Sequence, residues 1–294
     1  FVDSEIWPNL LFEAKRSKIP LALINARVTS KTAKRWMKFQ KPAKKIFSLF
    51  NFCLVANLET KNFLNELNVN NLFYNGNIKL INSIDSKKIE GSNDNFLNSK
   101  RFWLAASTHK DEDHFCLKTH SLLKKKYPEI ITIIAPRHIN RVQKIKNLAE
   151  KLNFSVQTLK EGEKIINGKE IIIINAFGIL NEYFKFAKSV FIGKSMIKSL
   201  KHDGGQNPIN AAKLGCKVYH GPYVYNFQDI YSTFEKNKIS KKIESAEDLS
   251  FNLMKDLEIF KEKNNNISNI VNDLGKKTLV TTMRDITNFF NEIK

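Results

Sequence analysis

Cysteine is scarce in this chain: Cys53, Cys116 and Cys216 are the three among 294 residues, far apart and with no C-x-x-C pair. A disulfide framework and a cysteine-based zinc site are thereby excluded, and the thiols read as buried groups of a reduced compartment. The six histidines show no H-E-x-x-H spacing and no pairing with cysteine, so no metal and no cofactor is expected. Missing too are a G-x-S-x-G elbow, a G-x-x-x-x-G-K-[ST] loop and a G-x-G-x-x-G turn. Serine hydrolase, P-loop and dinucleotide readings lose ground with them. No apolar run approaches the roughly 18 residues of a membrane span. Acidic residues are also in deficit, 29 against 48 Lys+Arg, for a net charge of +19.

That charge invites a nucleic-acid reading. The basic residues are scattered, however, in short groups such as Lys124-Lys125-Lys126 and Lys276-Lys277, with no arginine-rich stripe. With 33 asparagines and abundant Ile and Lys, much of the surplus is a compositional bias acting throughout. A basic face for an anionic membrane or an anionic substrate is favoured over nucleic acid, which is not expected as a partner. At 42% hydrophobic residues, with 22 Phe, the chain has ample material for buried cores and is not disordered. Its length suits about two domains.

Short apolar runs alternate with amphipathic segments. Strands are predicted at 20–25, 52–56, 102–106, 130–135, 154–158, 171–174, 189–192 and 217–220, and helices at 8–17, 30–50, 59–67, 112–127, 140–152, 180–188, 208–214 and 227–236. Near-continuous apolar strands separated by helices are what a parallel sheet covered on both faces requires, so the class is α/β. The Asn/Ser-rich stretch 82–100 breaks the pattern and marks a domain boundary. Beyond residue 243 the pattern turns helical, and the tail carries Leu279, Met283, Ile286, Phe289, Phe290 and Ile293 at helical spacing.

In such sheets ligands bind beyond the carboxyl ends of the strands, which directs attention to the loops there. After the strand at 130–135 stands Pro136-Arg137-His138. Arg137 either grips a phosphate with its planar fork or pairs with an acidic neighbour. His138 reads as an orienting group. The run Asp203-Gly204-Gly205-Gln206-Asn207-Pro208-Ile209-Asn210 allows close backbone approach and then opens a helix, fit for phosphate or sugar hydroxyls or simply a tight turn. The turn Phe177-Gly178-Ile179 follows an all-isoleucine strand and reads equally as a ligand loop or an ordinary connection. Near the start, Asp3 and Glu5 stand two apart before Trp7-Pro8, and Glu5 either acts on a substrate or caps a helix. Lys79, after Gly76, is by itself a surface lysine.

Taken in order, these loops resemble one family, the 3-deoxy-D-manno-octulosonic acid (Kdo) transferases of lipopolysaccharide synthesis. The family's E-T-E-L-W-P-N is similar to Asp3-Ser4-Glu5-Ile6-Trp7-Pro8-Asn9, and its P-L-x-L-x-N-A-R-x-S to the run from Pro20 through Arg27 to Ser30. G-N-L-K corresponds to Gly76-Asn77-Ile78-Lys79, A-S-T-H to Ala106-Ser107-Thr108-His109, and P-R-H to Pro136-Arg137-His138. G-G-H-N-P-L-E corresponds to Gly204 through Asn210, and G-P-x-x-x-N-F to Gly221 through Phe227. The match runs from Phe1 to about residue 236.

The resemblance implies a GT-B glycosyltransferase of two Rossmann-like domains facing a cleft, the first one incomplete. Residues 1–98 would be the remainder of the N-terminal, acceptor-side domain, 99–275 the nucleotide-sugar-binding domain, and 276–294 a helix crossing back. It implies Kdo transfer from CMP-Kdo to a lipid A precursor, lipid IVA, at the cytoplasmic face of the inner membrane, either peripherally or through an upstream anchor, with no metal. Carried over by position, Pro136, Arg137, Phe177, Gly178, Ile179, Asn207, Pro208, Ile209 and Asn210 would bind CMP. Ser107, Thr108, His138, Gly204, Gly205 and Gln206 would support the donor site, and Glu5 and Lys79 would stabilise the transition state. The family's catalytic base would lie upstream of Phe1, so the chain alone is expected to bind nucleotide without turnover. Two family glutamates are replaced, by Ile179 and Asn210, which predicts weaker CMP binding. The other readings are a GT-B enzyme with a different nucleotide-sugar donor, or a non-catalytic nucleotide- or lipid-binding relative.

Overall fold

Helix α1 (Pro8–Arg16) opens on a proline, whose missing N–H costs nothing at a helix start, and leads to strand β1 (Ala22–Ala26). Helices α2 (Ser30–Met37) and α3 (Gln40–Phe47) then precede β2 (Phe52–Val55), and α4 (Leu58–Glu66) precedes β3 (Leu72–Tyr74). The single helix expected over 30–50 is thus two. Pro42 has no N–H, and its ring would strike the carbonyl of Lys38 one turn back, which is where the break falls. The strands form a parallel sheet in the order β1-β2-β3. Residues 1–3 extend it beside β1: Val2 bridges Ile24, and the Asp3 N–H donates to the Ile24 carbonyl at 2.9 Å.

The computed structural model describes residues 1–3, 6–201, 203–259, 263 and 265–292, and divides the chain into two compact units. The first comprises Phe1–Asn82 and the chain from Asn272 onward; the second is Ser83–Val271. In the first, Leu11, Leu23, Phe47, Val55, Phe63 and Leu64 build a core on one sheet face. On the other face Phe52 stacks on Phe289 at 4.9 Å between ring centres. The tail is helical, and its buried side takes only part of the apolar set: Phe289 is buried and Ile286 packs beside it. Thr278, Thr282 and Asp285 are buried, whereas Leu279, Met283 and Phe290 are exposed. The Asn75 amide donates to Asp285 at 2.8 Å on that side.

The second unit runs α5 (Asp94–Ser99), β4 (Phe102–Thr108), α6 (Glu112–Lys124), β5 (Ile131–Pro136), α7 (Val142–Lys151), β6 (Val156–Leu159), β7 (Ile171–Ile174), α8 (Leu180–Phe186), β8 (Ser189–Ile192), α9 (Ile209–Lys213), β9 (Lys217–His220), α10 (Gln228–Lys236), β10 (Ser240–Lys242) and α11 (Ala246–Asp256). A last helix, α12 (Asn265–Glu292), begins in this unit and ends in the first. Its sheet is parallel throughout, in the order β10-β9-β8-β4-β5-β7-β6. Strands β4, β5, β7 and β8 are buried almost end to end, as a doubly covered parallel sheet demands.

The division falls at 82/83, not after residue 98, because the polar stretch is tied to the second unit. The Asn93 side chain accepts from the Ile165 N–H at 2.7 Å and donates to the Glu163 carbonyl at 2.9 Å, and Lys185 pairs with Asp94 at 3.0 Å. Two strands escaped the hydrophobic pattern. In β3 all three residues are only half buried, and β10 reads Ser-Lys-Lys.

Candidate active site

Strand order reverses at β4: the chain winds outward through β5, β6 and β7, then crosses back to lay β8 on β4's other side. The crevice beyond the carboxyl ends of β4, β5 and β8 is therefore where a ligand is expected in such a sheet. Ser107, near the end of β4, has φ +56°, and the β4–β5 register shifts between Ala106 and Thr108. A bulge of this kind re-aims the residues that follow it. The Thr108 carbonyl accepts from the Arg137 N–H at 3.0 Å and from the Arg141 guanidinium at 3.0 Å, joining the ends of β4 and β5. Arg141 is also paired with buried Asp113. Burial raises the Asp113 carboxyl despite that pairing.

Glu112 organises this crevice, and no local pattern had singled it out. It is fully buried at the start of α6, and its two oxygens accept four backbone N–H groups. His109 and Lys194 donate to Oε2 at 2.8 and 2.7 Å; Ser195 and Met196 donate to Oε1 at 2.8 and 3.0 Å. Burial raises its carboxyl above the ordinary value, while the four donors pull the other way. Gly193 is required beside it, since a Cβ there would lie 2.6 Å from the Ser107 carbonyl oxygen and 2.7 Å from Oε2 of Glu112.

The other loops are fastened to this clamp. Lys194, at φ +60°, pairs with Asp203 at 3.0 Å, and its carbonyl accepts from Gly205 N–H. Gly205 has φ +89°, and a Cβ would meet Val224 at 2.9 Å. The Tyr231 hydroxyl donates to the Gln206 carbonyl at 2.9 Å, and the Asn226 N–H to the Gly204 carbonyl at 2.8 Å. The Asn207 side chain accepts from the Ile209 N–H at 2.9 Å, so the helix begins at Ile209, one residue later than expected. Asn210 reaches Asn181 at 3.4 Å, which brings the starts of α8 and α9 together. Of the expected CMP-binding residues, Arg137, Phe177, Gly178 and Asn207 are exposed. Pro136, Ile179, Pro208 and Ile209 are buried and could offer a ligand only backbone. His138 is exposed, with its ring 5.6 Å from that of His109.

Basic side chains meet at these loops. Burial, aided by Lys194, His138 and Arg141, lowers the His109 imidazole below its ordinary value, against the pull of the Ser107 carbonyl. The Arg137 guanidinium has no ion pair among the described residues, which leaves it available to an anionic ligand. Among the described residues no group of three His, Cys, Asp or Glu could hold a metal.

The two residues expected to stabilise the transition state belong to the first unit. Glu5 lies outside the described residues. Lys79 sits in a 3-10 turn (Ile78–Leu80), with its ammonium 3.4 Å from the Asp3 carboxylate.

Residues 1–82 match the family model described as 3-Deoxy-D-manno-octulosonic-acid transferase (kdotransferase). The 3-deoxy-D-manno-octulosonic acid transferase of Haemophilus influenzae is 28% identical over 240 residues, covering 78% of this chain and 54% of that protein. The chain thus spans little more than half the length of the curated relatives it matches. Among solved structures, the C-terminal CMP-Kdo binding domain of WaaA from Acinetobacter baumannii superposes with a TM-score of 0.50 at 19% identity, over 63% of this chain and 91% of that one. A putative UDP-N-acetylglucosamine 2-epimerase from Listeria monocytogenes covers both units, with a TM-score of 0.61 at 12% identity over 96% of this chain and 71% of that one. Motif order, family model and relatives agree: the chain is related to the Kdo transferases and has the GT-B fold.

Proposed function

We propose that the chain is the larger part of a glycosyltransferase that moves Kdo from CMP-Kdo to a lipid A precursor, lipid IVA, in lipopolysaccharide synthesis. The observation that carries the reading is the exposed Arg137, without an ion pair among the described residues, at the end of β5 beside the β4 and β8 loops clamped by Glu112. When the bond from Kdo to phosphate breaks, negative charge grows on the leaving CMP. A cation held there, such as the Arg137 guanidinium, lowers the barrier because little reorganisation is needed as that charge forms. Arg137 is assigned the phosphate, and the 177–179 and 207–210 turns the cytidine and ribose.

A peripheral seat on an anionic membrane, at the inner membrane's cytoplasmic face, belongs to the same reading. From Ser17 to Leu58 the chain has nine Lys/Arg and no acid, and Phe39, between α2 and α3, is 67% exposed. An exposed aromatic set among lysines suits a surface of anionic headgroups. Among the described residues no helix is long and apolar enough to cross a membrane.

Thermal unfolding with CMP, UDP and GDP tests the donor. At a hundredfold excess over its Kd, CMP should add about 2.7 kcal/mol of stability, and Arg137→Ala should abolish most of that gain. Equal stabilisation by UDP or GDP would point to a GT-B enzyme with another donor. No response to any of the three would leave a non-catalytic relative.

A further inference from the structure

Of the five non-glycine residues with positive φ among the described residues of the first unit, Asp3, Lys18, Asn25, Asn68 and Asn71, two are joined by a side-chain hydrogen bond. Asp3 has φ +58° and Asn25 has φ +56°. Asn25 is 2% exposed and stands where the β1–β2 register shifts, between Leu23 and Ala26. Its amide group donates to Asp3 Oδ1, and its carbonyl oxygen accepts from the Ile78 N–H at 3.1 Å. Asp3 turns its other oxygen, Oδ2, to the Lys79 ammonium at 3.4 Å. The turn that carries Lys79 is itself fixed. The Asn77 side chain accepts from the Lys79 N–H at 3.0 Å, and Gly275 of α12 lies so close that a Cβ there would stand 2.2 Å from the Leu80 carbonyl oxygen.

Strain held in a bulge at the carboxyl end of a strand is what a site uses to aim a side chain. The second unit repeats the device, with Ser107 at φ +56° at the end of β4. A plain surface lysine needs none of this scaffolding. We infer that Asp3 and Asn25 are positioning residues for Lys79: the bulged Asn25 amide fixes the Asp3 carboxylate, which holds the lysine ammonium at the rim of the first sheet. Resting on the transition-state role expected above for Lys79, this gives the acid at position 3 a part of its own. A half-exposed ion pair is weak by itself, so Asn25, which orders the carboxylate beforehand, makes the aim reliable.

The test is competitive acylation of the full chain with acetic anhydride, read lysine by lysine by mass spectrometry. Asp3→Asn should speed acylation of Lys79 about two- to fivefold. Asn25→Gly should do the same although Asn25 does not touch Lys79. Glycine accepts the positive φ without strain, so this variant removes the bridge and keeps the backbone. Lys110 and Lys146 of the second unit serve as internal controls, and Asp3→Glu should restore the wild-type rate. Unchanged acylation of Lys79 in either bridge-breaking variant overturns the positioning, whatever happens to activity. In a chain competent for Kdo transfer, Asp3→Asn should lower kcat with little change in KM for the donor, and should lower it no further once Lys79 is methionine. Additive losses would overturn the inference. Should Lys79→Met leave transfer intact while the acylation results hold, the reading of Lys79 fails and the bridge is a structural one only.

Discussion

Replacing Glu112 by glutamine keeps size and shape and changes only what the side chain can accept. The carboxylate serves four backbone N–H groups with two oxygens, at 2.7 to 3.0 Å, in a site from which water is excluded. An amide has one acceptor oxygen and an NH2 group. Whichever way it is turned, two N–H donors lose their acceptor and face two further donors. Each buried donor left unsatisfied costs about 1–3 kcal/mol, so two cost roughly 2–6. One term opposes this loss: burial disfavours the ionised form, as the raised carboxyl shows, and the amide carries no charge to desolvate. The donors should decide the outcome, because neutralising the side chain does nothing for the N–H groups of His109 or of Lys194 through Met196.

A net loss of about 3 kcal/mol is a large share of the roughly 5–15 kcal/mol by which a domain is stable. For a unit of this size it lowers Tm by about 6–12 °C. Differential scanning calorimetry measures that shift. Hydrogen exchange then localises it, with the amides of Lys194, Ser195 and Met196 losing protection while those of β5 and β7 keep theirs. CMP should bind the variant more weakly, since the loop that carries Lys194 is no longer held. Should Glu112→Gln unfold at the wild-type temperature with residues 194–196 still protected, Glu112 is not the clamp.

Burial drives the His120 imidazole down to about 4, with Thr132 on Nδ1 at 2.8 Å and no partner on its other ring nitrogen. Since the unfolded chain protonates near 6.5, stability should fall by about 3 kcal/mol as pH drops from 6.5 to 4, and His120→Phe should flatten that slope in urea titrations. Glu170 acts in the same sense at lower pH: burial pushes its carboxyl up, but Lys124 and the Ser155 N–H outweigh it and hold it low. Its contribution is present at neutral pH and lost as pH falls through the lowered value, so Glu170→Gln should destabilise at pH 7 and approach wild type once the pH is below that value. Gly193→Ala should cost about 1–3 kcal/mol and impair CMP binding, because its Cβ would overlap the Ser107 carbonyl and Thr108. Asn210→Glu should tighten CMP roughly tenfold in calorimetric titration, as a carboxylate accepts from both ribose hydroxyls where an amide offers one acceptor; no gain would refute it.

What the sequence made legible and what it hid differ in range along the chain. The all-isoleucine strand β7 and the apolar stretches of β4 and β5 announce themselves, because burial on both faces leaves no polar position to confuse the pattern. Strand β10 is invisible for the complementary reason: as an edge strand it can be Ser-Lys-Lys and still pair. The motif residues were legible as a group, yet their roles were not. Ile179 and Ile209 lie in the motifs expected to bind nucleotide, but their side chains are buried. Glu112, three residues beyond the A-S-T-H stretch, serves the site through Lys194 to Met196, more than eighty positions away. No local pattern can report a contact that exists only once β8 has crossed back to β4. The same holds for Asn25, an ordinary asparagine in sequence whose meaning comes from a bulge and from partners at positions 3 and 78. Glu112 and Asn25 both hold partners distant along the chain, so mutagenesis guided by motifs alone would pass over them.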